Sequence, residues 1–255
     1  MPNERLRDAL TETGVDPEAL AREVQVDPKT VERWINNGRV PYRKYRRKIA
    51  ARLQTTENYL WPNAVDPSEA TAASQSELVT FFPHRNSTPV ALWDRVIERA
   101  TDRVDILVHA GLFLVERPTF VKSLAEKAQA GCRVRLNFGD PASPEVEQRS
   151  EEEQLGRGVL ASRIRNALAS YRPLFEVDGP ELRLHRTTLY NSIFRFDDEI
   201  IVNTHVYGVQ GAHAPAMHLR RLGTGHLFDT YARGFEEVWR TSEAATFERA
   251  GLEPS

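Results

Sequence analysis

Two Asp-Pro pairs, Asp16-Pro17 and Asp27-Pro28, constrain the start of this chain more than any other feature. In each, a carboxylate N-cap precedes a proline whose fixed φ and missing N–H suit the first helical position, so a short helix is expected to begin at both. The apolar residues Leu20, Val24, Val26, Val31, Trp34 and Ile35 keep helical spacing, break phase once near Gln25-Val26, and resume. Two helices joined by a tight turn meet that pattern, which makes Asp16 to Asn37 a helix-turn-helix.

Charge is concentrated in the same region. From Lys29 to Arg52 nine basic residues stand against one acid, Glu32, although the 255-residue chain carries a formal net charge of -2. The single cysteine, Cys132, excludes an intramolecular disulfide and any multi-cysteine metal site. No apolar run approaches a membrane span or a secretory signal, so a cytoplasmic, nucleoid-associated protein without a membrane partner is expected. Gly-rich phosphate loops, a serine-hydrolase elbow and a kinase signature are absent, and no cofactor is expected.

Residues 1–62 read as a small all-α domain. Asn3 to Thr13 is expected to form a helix ended by Gly14, with Leu6 and Leu10 turned to the motif. On the second motif helix, Pro28 to Asn37, the residues Val31, Trp34 and Ile35 face inward. Lys29, Thr30, Arg33 and Asn37 are then left to face the bases of a major groove, with Arg33 the best base reader because a guanidinium bonds guanine bidentately. After Gly38, a further helix is expected to turn Val40, Tyr45, Ile49, Ala50 and Leu53 to the core. Arg39, Arg43, Lys44, Arg46, Arg47 and Lys48 then stand as phosphate contacts. The run Glu57 to Pro62 caps this core or hands the chain onward.

The motif resembles the repressor-like helix-turn-helix of the xenobiotic-response-element family in Leu20-Ala21, Val26, Thr30-Val31 and Arg33-Trp34. It departs at Gln25, where that family commonly has a turn glycine. The resemblance implies double-stranded DNA as a partner.

Residues 63–77 read as a linker, being rich in Pro, Ala, Ser, Thr and Glu, and Leu78, Val79, Phe81 and Phe82 as a docking strand. From there to residue 255 the pattern is an α/β domain with a mixed sheet. Helices are expected at Pro89 to Ala100 and Pro118 to Ala130, strands at Val104 to Ala110 and Cys132 to Phe138, then one long helix from Pro144 to Tyr171. Strands at Glu181 to His185, Ser192 to Phe196, Glu199 to Val206 and Ala216 to Leu222 follow, with Asp197-Asp198 as a hairpin turn and a closing helix from Phe228 to Thr241.

This order, with LYNSIFRFDDEIIVNTHVYG after a long helix, resembles one lobe of the phospholipase D superfamily over about Thr88 to Thr241. The signature His-x-Lys-x4-Asp is broken. Laid on the turn it gives Tyr190, Ser192 and Asp197, and laid on His185 it gives Thr187 and Ser192 for the Lys and Asp. Phosphodiester transfer in that family requires a nucleophilic histidine and phosphate-holding cations, which a tyrosine and a serine do not supply. No catalytic residue is therefore assigned. The remaining pocket candidates are His109 and Asn137 at the ends of two parallel strands, with His185, Arg195, Asn203 and His205, a set suited to a small anionic or polar effector. His205, His213, His218 and His226 lack metal-ligand spacing, and no metal is expected.

The leading expectation is a homodimeric transcriptional regulator whose catalytically defective second domain senses a ligand, dimerises the protein, or both. A DNA-targeted phosphodiesterase using His185, His205 and Asp197, and a protein-interaction scaffold, stay open as alternatives.

Overall fold

The structure, a computed structural model, describes residues 2–62, 64, 74–117, 119–223 and 225–250. Most of the expected linker lies outside the described residues. The chain divides into two compact units, Met1–Glu77 with Arg221–Thr230, and Leu78–Arg220 with Tyr231–Ser255.

The first unit begins with five helices: α1 (Glu4–Thr13), α2 (Pro17–Val24), α3 (Pro28–Asn36), α4 (Arg43–Arg52) and α5 (Glu57–Leu60). Local chemistry fixes their starts. The Asn3 side chain accepts from Leu6 N–H, Asp16 from Glu18 and Ala19, and Asp27 from Lys29, each satisfying donors that a helix N-terminus leaves over. Leu6, Leu20, Val31, Trp34, Ile49 and Leu60 meet in one core. The α2–α3 turn closes on Gln25, which adopts the left-handed conformation (φ 59°, ψ 52°) despite its side chain. Val40, expected in the core, is 47% exposed, because it precedes α4 instead of lying on it.

In the same unit, residues 74–77 are helical and end at Glu77, which is fully buried. Its carboxylate accepts from the N–H groups of Leu227 (2.7 Å), Leu222 (3.3 Å) and Phe228 (3.3 Å), capping the helix that opens at Leu227. A Cβ at Gly225 would stand 2.1 Å from that carboxyl carbon, so the cap requires glycine there.

The second unit is built on an eight-stranded sheet. Its strands are β1 (Leu78–Phe82), β2 (Arg103–Leu107), β3 (Arg133–Gly139), β4 (Glu181–His185), β5 (Asn191–Phe196), β6 (Glu199–Thr204), β7 (Ala216–Arg220) and β8 (Glu243–Ala244), in the order β1-β7-β6-β5-β2-β3-β4-β8. The pairs β2–β3 and β3–β4 are parallel and the others antiparallel. After β4 the chain returns across the sheet, so β5 pairs with β2.

One face of the sheet carries Val104, Ile106, Val134, Leu136, Phe138 and Phe194 into the main apolar core. The helices α6 (Val90–Arg99), α7 (Leu112–Val115), α8 (Phe120–Gln129), α9 (Pro144–Glu152) and α10 (Val159–Ser170) pack there. The single long helix expected from Pro144 to Tyr171 is two helices. Gln154, Gly156 and Gly158 all have positive φ between them, which an α-helix cannot absorb. The edge strand β8 and the short α12 (Phe247–Ala250) are too brief to leave a periodic signal.

The other face meets α11 (Leu227–Thr241) through charges. Arg135, 1% exposed, donates to Asp105 (2.7 Å) on β2 and bidentately to Glu236 (2.6 and 2.8 Å) on α11, with its guanidinium over the Phe235 ring. Removing one partner of a buried pair strands the other charge, so Arg135→Ala is expected to destabilise the protein by about 3–5 kcal/mol. The double substitution Asp105→Leu/Arg135→Met, which removes both charges at similar volume, is expected to recover most of that loss. Urea unfolding of the three proteins checks both outcomes.

Candidate functional site

On α3 the core residues Val31, Trp34 and Ile35 are buried, which turns Lys29 and Arg33 to solvent, with Thr30 half-buried and Asn37 exposed at the C-cap. Arg39, Arg43, Lys44, Arg47 and Lys48 are exposed as well. Arg46 is the exception among the expected phosphate contacts. Its Nε lies 3.1 Å from Oε2 of the buried Glu57 and its Nη1 donates to the Pro41 carbonyl (3.1 Å), so it holds α4 to α5 instead of facing outward. Arg47 also reaches Glu57 (3.4 Å), but its side chain stays 63% exposed.

In the second unit three of the proposed ligand residues come together. His109 lies just past the end of β2, His185 ends β4, and His205 follows β6. The His109 ring centroid is 5.6 Å from that of His185 and 5.5 Å from that of His205, with the latter pair stacked. A slip in the ladder brings His109 there. Val108 N–H bonds the Asn137 carbonyl, whereas Gly139 N–H bonds the carbonyl of His109. The extra residue is a bulge, which turns the Val108 carbonyl toward His185. A Cβ on Gly139 would stand 2.9 Å from Val146 and 3.2 Å from His109 Nδ1, so the glycine makes room for the ring.

The hydrogen bonds fix two tautomers, because a carbonyl only accepts. His185 Nε2 donates to Val108 O (3.1 Å), leaving its Nδ1 as an acceptor without a partner among the described residues. His205 Nδ1 donates to Leu189 O (3.0 Å), so its Nε2 accepts from Ser192 Oγ (3.0 Å). Neither ring nitrogen of His109 has a partner among the described residues. Burial lowers the pKa of all three, His185 and His205 to about 4 and His109 well below the usual histidine range, so the cluster is uncharged at neutral pH. Arg149 adds to the lowering at His109 and His205, yet its own charge is matched by Glu153 (2.8 Å) and Glu152 (3.5 Å).

The remaining proposed residues do not join. Asn203, opposite Ser192 in the ladder, spends its amide on the carbonyls of Pro215, Ala214 and Thr204. Asn137 and Arg195 point to the opposite face, where Asn137 donates to Ser242 Oγ (2.8 Å) and Arg195 lies 3.7 Å from Asp105. Asp197 is at the far end of the sheet. Its carboxylate accepts from Thr101, Asp102 and Arg103 at the start of β2, some six residues or roughly 20 Å of strand from His109. The constellation His185, His205 and Asp197 is therefore not assembled, and Tyr190 is 79% exposed. Sequence reasoning missed Ser192, Arg149 and Glu145, whose buried Oε2 has no partner among the described residues. A surface groove of about 720 Å³ between α6 and α8 shares no residue with the cluster. No group of three His, Cys, Asp or Glu among the described residues is arranged to hold a metal, and none of their helices is long and apolar enough to cross a membrane.

A family profile described as "Domain of unknown function (DUF5919)" matches residues 76–246, well over half of the chain. The chain belongs to the DUF5919 family. No curated protein matches it significantly. Among solved structures, TrmBL2, an archaeal chromatin protein described as showing a novel mode of DNA binding, aligns at 11% identity and a TM-score of 0.41, over 72% of this chain and 56% of its own. The phospholipase D family member Nuc from Salmonella typhimurium aligns at 11% identity and a TM-score of 0.35, over 61% of this chain and 89% of its own. This DUF5919 chain thus spans little more than half the length of TrmBL2, and likenesses this distant transfer no activity or partner.

The histidine cluster ties stability to pH. The folded pKa of His185 and His205, about 4, lies below the unfolded value of about 6.5, so between these values the unfolded chain binds protons that the folded one refuses. Stability is full above about pH 6.5 and falls as pH drops toward 4, by about 1.4 kcal/mol per pH unit for each histidine. Urea midpoints taken near pH 7 and near pH 5 measure the slope, and His185→Gln is expected to flatten it.

Proposed function

We propose that this protein is a sequence-specific regulator of transcription that binds double-stranded DNA through α3, acts as a homodimer, and senses a small polar effector in its α/β unit. The observation that carries the DNA reading is the one-sided α3: three core residues inward, Lys29 and Arg33 outward, and exposed Arg43, Lys44, Arg47 and Lys48 on the helix that follows. The repressor-like words of the motif support it, and Gln25 supplies the left-handed turn that glycine makes in that family. A single recognition helix buries a small interface, so two copies on half-sites one helical turn apart are required for tight binding.

The histidine cluster supports the effector role and narrows its chemistry. Uncharged imidazoles offer acceptors at His185 Nδ1 and one nitrogen of His109, and one N–H donor on His109, while Arg149 is already neutralised. An uncharged, hydroxyl- or amide-bearing ligand suits that set better than an anion. Phosphodiester chemistry is disfavoured by the separation of Asp197 from the histidines.

Binding measurements on a selected operator and on random DNA test the reading. Arg33→Ala is expected to cost about 1–3 kcal/mol on the operator and relax preference at one position. Arg47→Ala is expected to weaken all sequences alike and shallow the salt dependence by about one phosphate contact. Arg46→Ala is expected to lower the melting temperature through the loss of Glu57's buried partner, the exposed Arg47 remaining. Equal losses on both DNAs for Arg33→Ala and Arg47→Ala would remove α3 from base reading.

The effector is tested by a thermal-shift screen of uncharged polyols and amides. A hit at a hundred times its Kd is expected to stabilise the protein by about 2.7 kcal/mol, with His109→Phe abolishing the shift.

A further inference from the structure

Ser192 and His205 form a contact that the effector role does not use. Ser192 Oγ lies 3.0 Å from His205 Nε2, and His205 Nδ1 lies 3.0 Å from the Leu189 carbonyl. The carbonyl holds the proton on Nδ1, so Nε2 presents its lone pair to the serine hydroxyl. That is the arrangement of a nucleophile, a base and a group that orients the base. His205 stays uncharged at neutral pH, because burial lowers its pKa to about 4, and is thus in the form that accepts a proton. His109 stacks on His205 at 5.5 Å, and its single N–H has no partner among the described residues. It is a donor available to an oxyanion. Two residues before Ser192 stands Tyr190 and two after His205 stands Tyr207, 79% and 80% exposed, and the Tyr190 carbonyl accepts from His205 N–H (2.8 Å).

We propose that Ser192 is an acyl-accepting nucleophile activated by His205, and that it reacts with small uncharged carboxylic esters. Ser192 Oγ forms a bond to the acyl carbon while its proton passes to His205 Nε2. The carbonyl oxygen becomes an oxyanion that accepts from the N–H of His109. The bond from the acyl carbon to the alkoxy oxygen then breaks, the proton on Nε2 goes to that oxygen, and an alcohol leaves. Water gives a proton to Nε2 and adds to the acyl carbon; the bond from that carbon to Oγ then breaks, the proton on Nε2 goes to Oγ, and the carboxylic acid leaves with Ser192 restored. No oxidant, metal or second substrate enters. The proposal shares its histidines with the effector reading but is separable from it, since an acyl group on serine survives denaturation and a bound effector does not.

The test is incubation of the full-length protein with 4-nitrophenyl acetate, followed by denaturation and peptide mass spectrometry. Acetyl on the peptide containing Ser192 is expected, together with a burst of 4-nitrophenol, and Ser192→Ala is expected to lose both. His205→Gln is expected to slow acylation by roughly 10²–10⁴-fold, the range of a positioned general base. An adduct absent from Ser192, or one formed equally fast in His205→Gln, would overturn the proposal. If His205→Gln does not fold, Ser192→Ala decides, an undiminished burst there overturning the proposal.

Discussion

The sheet of the second unit is covered on both faces, and one of those faces is charged. Arg135 is the residue that makes this possible. With its guanidinium buried, it holds Asp105 within the sheet and Glu236 on α11, and it is itself stacked on the ring of Phe235. Arg135 and Asp105 would each cost several kcal/mol if buried without a partner, so the two are stable only together, while the half-exposed Glu236 ties α11 to them in one register over β2 and β3. The arrangement extends along the helix, through Arg183 to the Trp239 carbonyl and Asn137 to Ser242. Polar pairing thus adds to the buried rings of Phe235 and Trp239 in holding α11, where apolar interdigitation alone serves α6, α8 and α10 on the other side.

The same division separates the two ends of the strands. At the start of β2 the Asp197 carboxylate gathers three backbone N–H groups, closing a turn whose own backbone is left-handed at φ 49°. That end is saturated. At the other end, the bulge at Val108–His109 leaves ring nitrogens of His109 and His185 without partners among the described residues. Buried polar groups are normally paired, and the exceptions call for an account. Three of them, both ring nitrogens of His109 and Nδ1 of His185, fall within one cluster, at the ends of parallel strands where α/β sheets bind ligands.

Much of this is legible in the sequence where the cause is local. The starts of α2 and α3 follow from Asp-Pro caps, and the apolar runs of β2 and β3 from their burial. Gly156 and Gly158 are the residues that break α9 from α10, although the acidic run preceding them reads as one continuous helix. Strand alternation carries a further signal: with Val134, Leu136 and Phe138 inside, Asn137 has to share a face with Arg133 and Arg135, toward α11. What is not legible depends on pairing between distant segments. Arg46 turns inward because Glu57, eleven residues on, is buried beside it, and no helix-face rule predicts that contact. The meeting of His109, His185 and His205 needs the strand order and the bulge, neither of which one strand's sequence carries.

Any effect of the second unit on DNA has to arise from a difference in free energy between two states, since a ligand bound equally by both changes nothing. The histidine cluster provides a term of suitable size. A buried donor or acceptor without a partner costs about 1–3 kcal/mol, and a ligand that supplies partners to His109 and His185 recovers that amount only in the conformation where the three rings converge. Typical couplings between sites are also about 1–3 kcal/mol. Because the rings are uncharged, this term is independent of salt, whereas phosphate contacts by Arg43, Lys44, Arg47 and Lys48 in the proposed DNA complex would weaken steeply as salt rises. Ligand response and DNA affinity therefore rest on different physics, and the ratio of DNA affinities with and without effector should hold constant across salt concentrations at which the affinity itself falls by orders of magnitude.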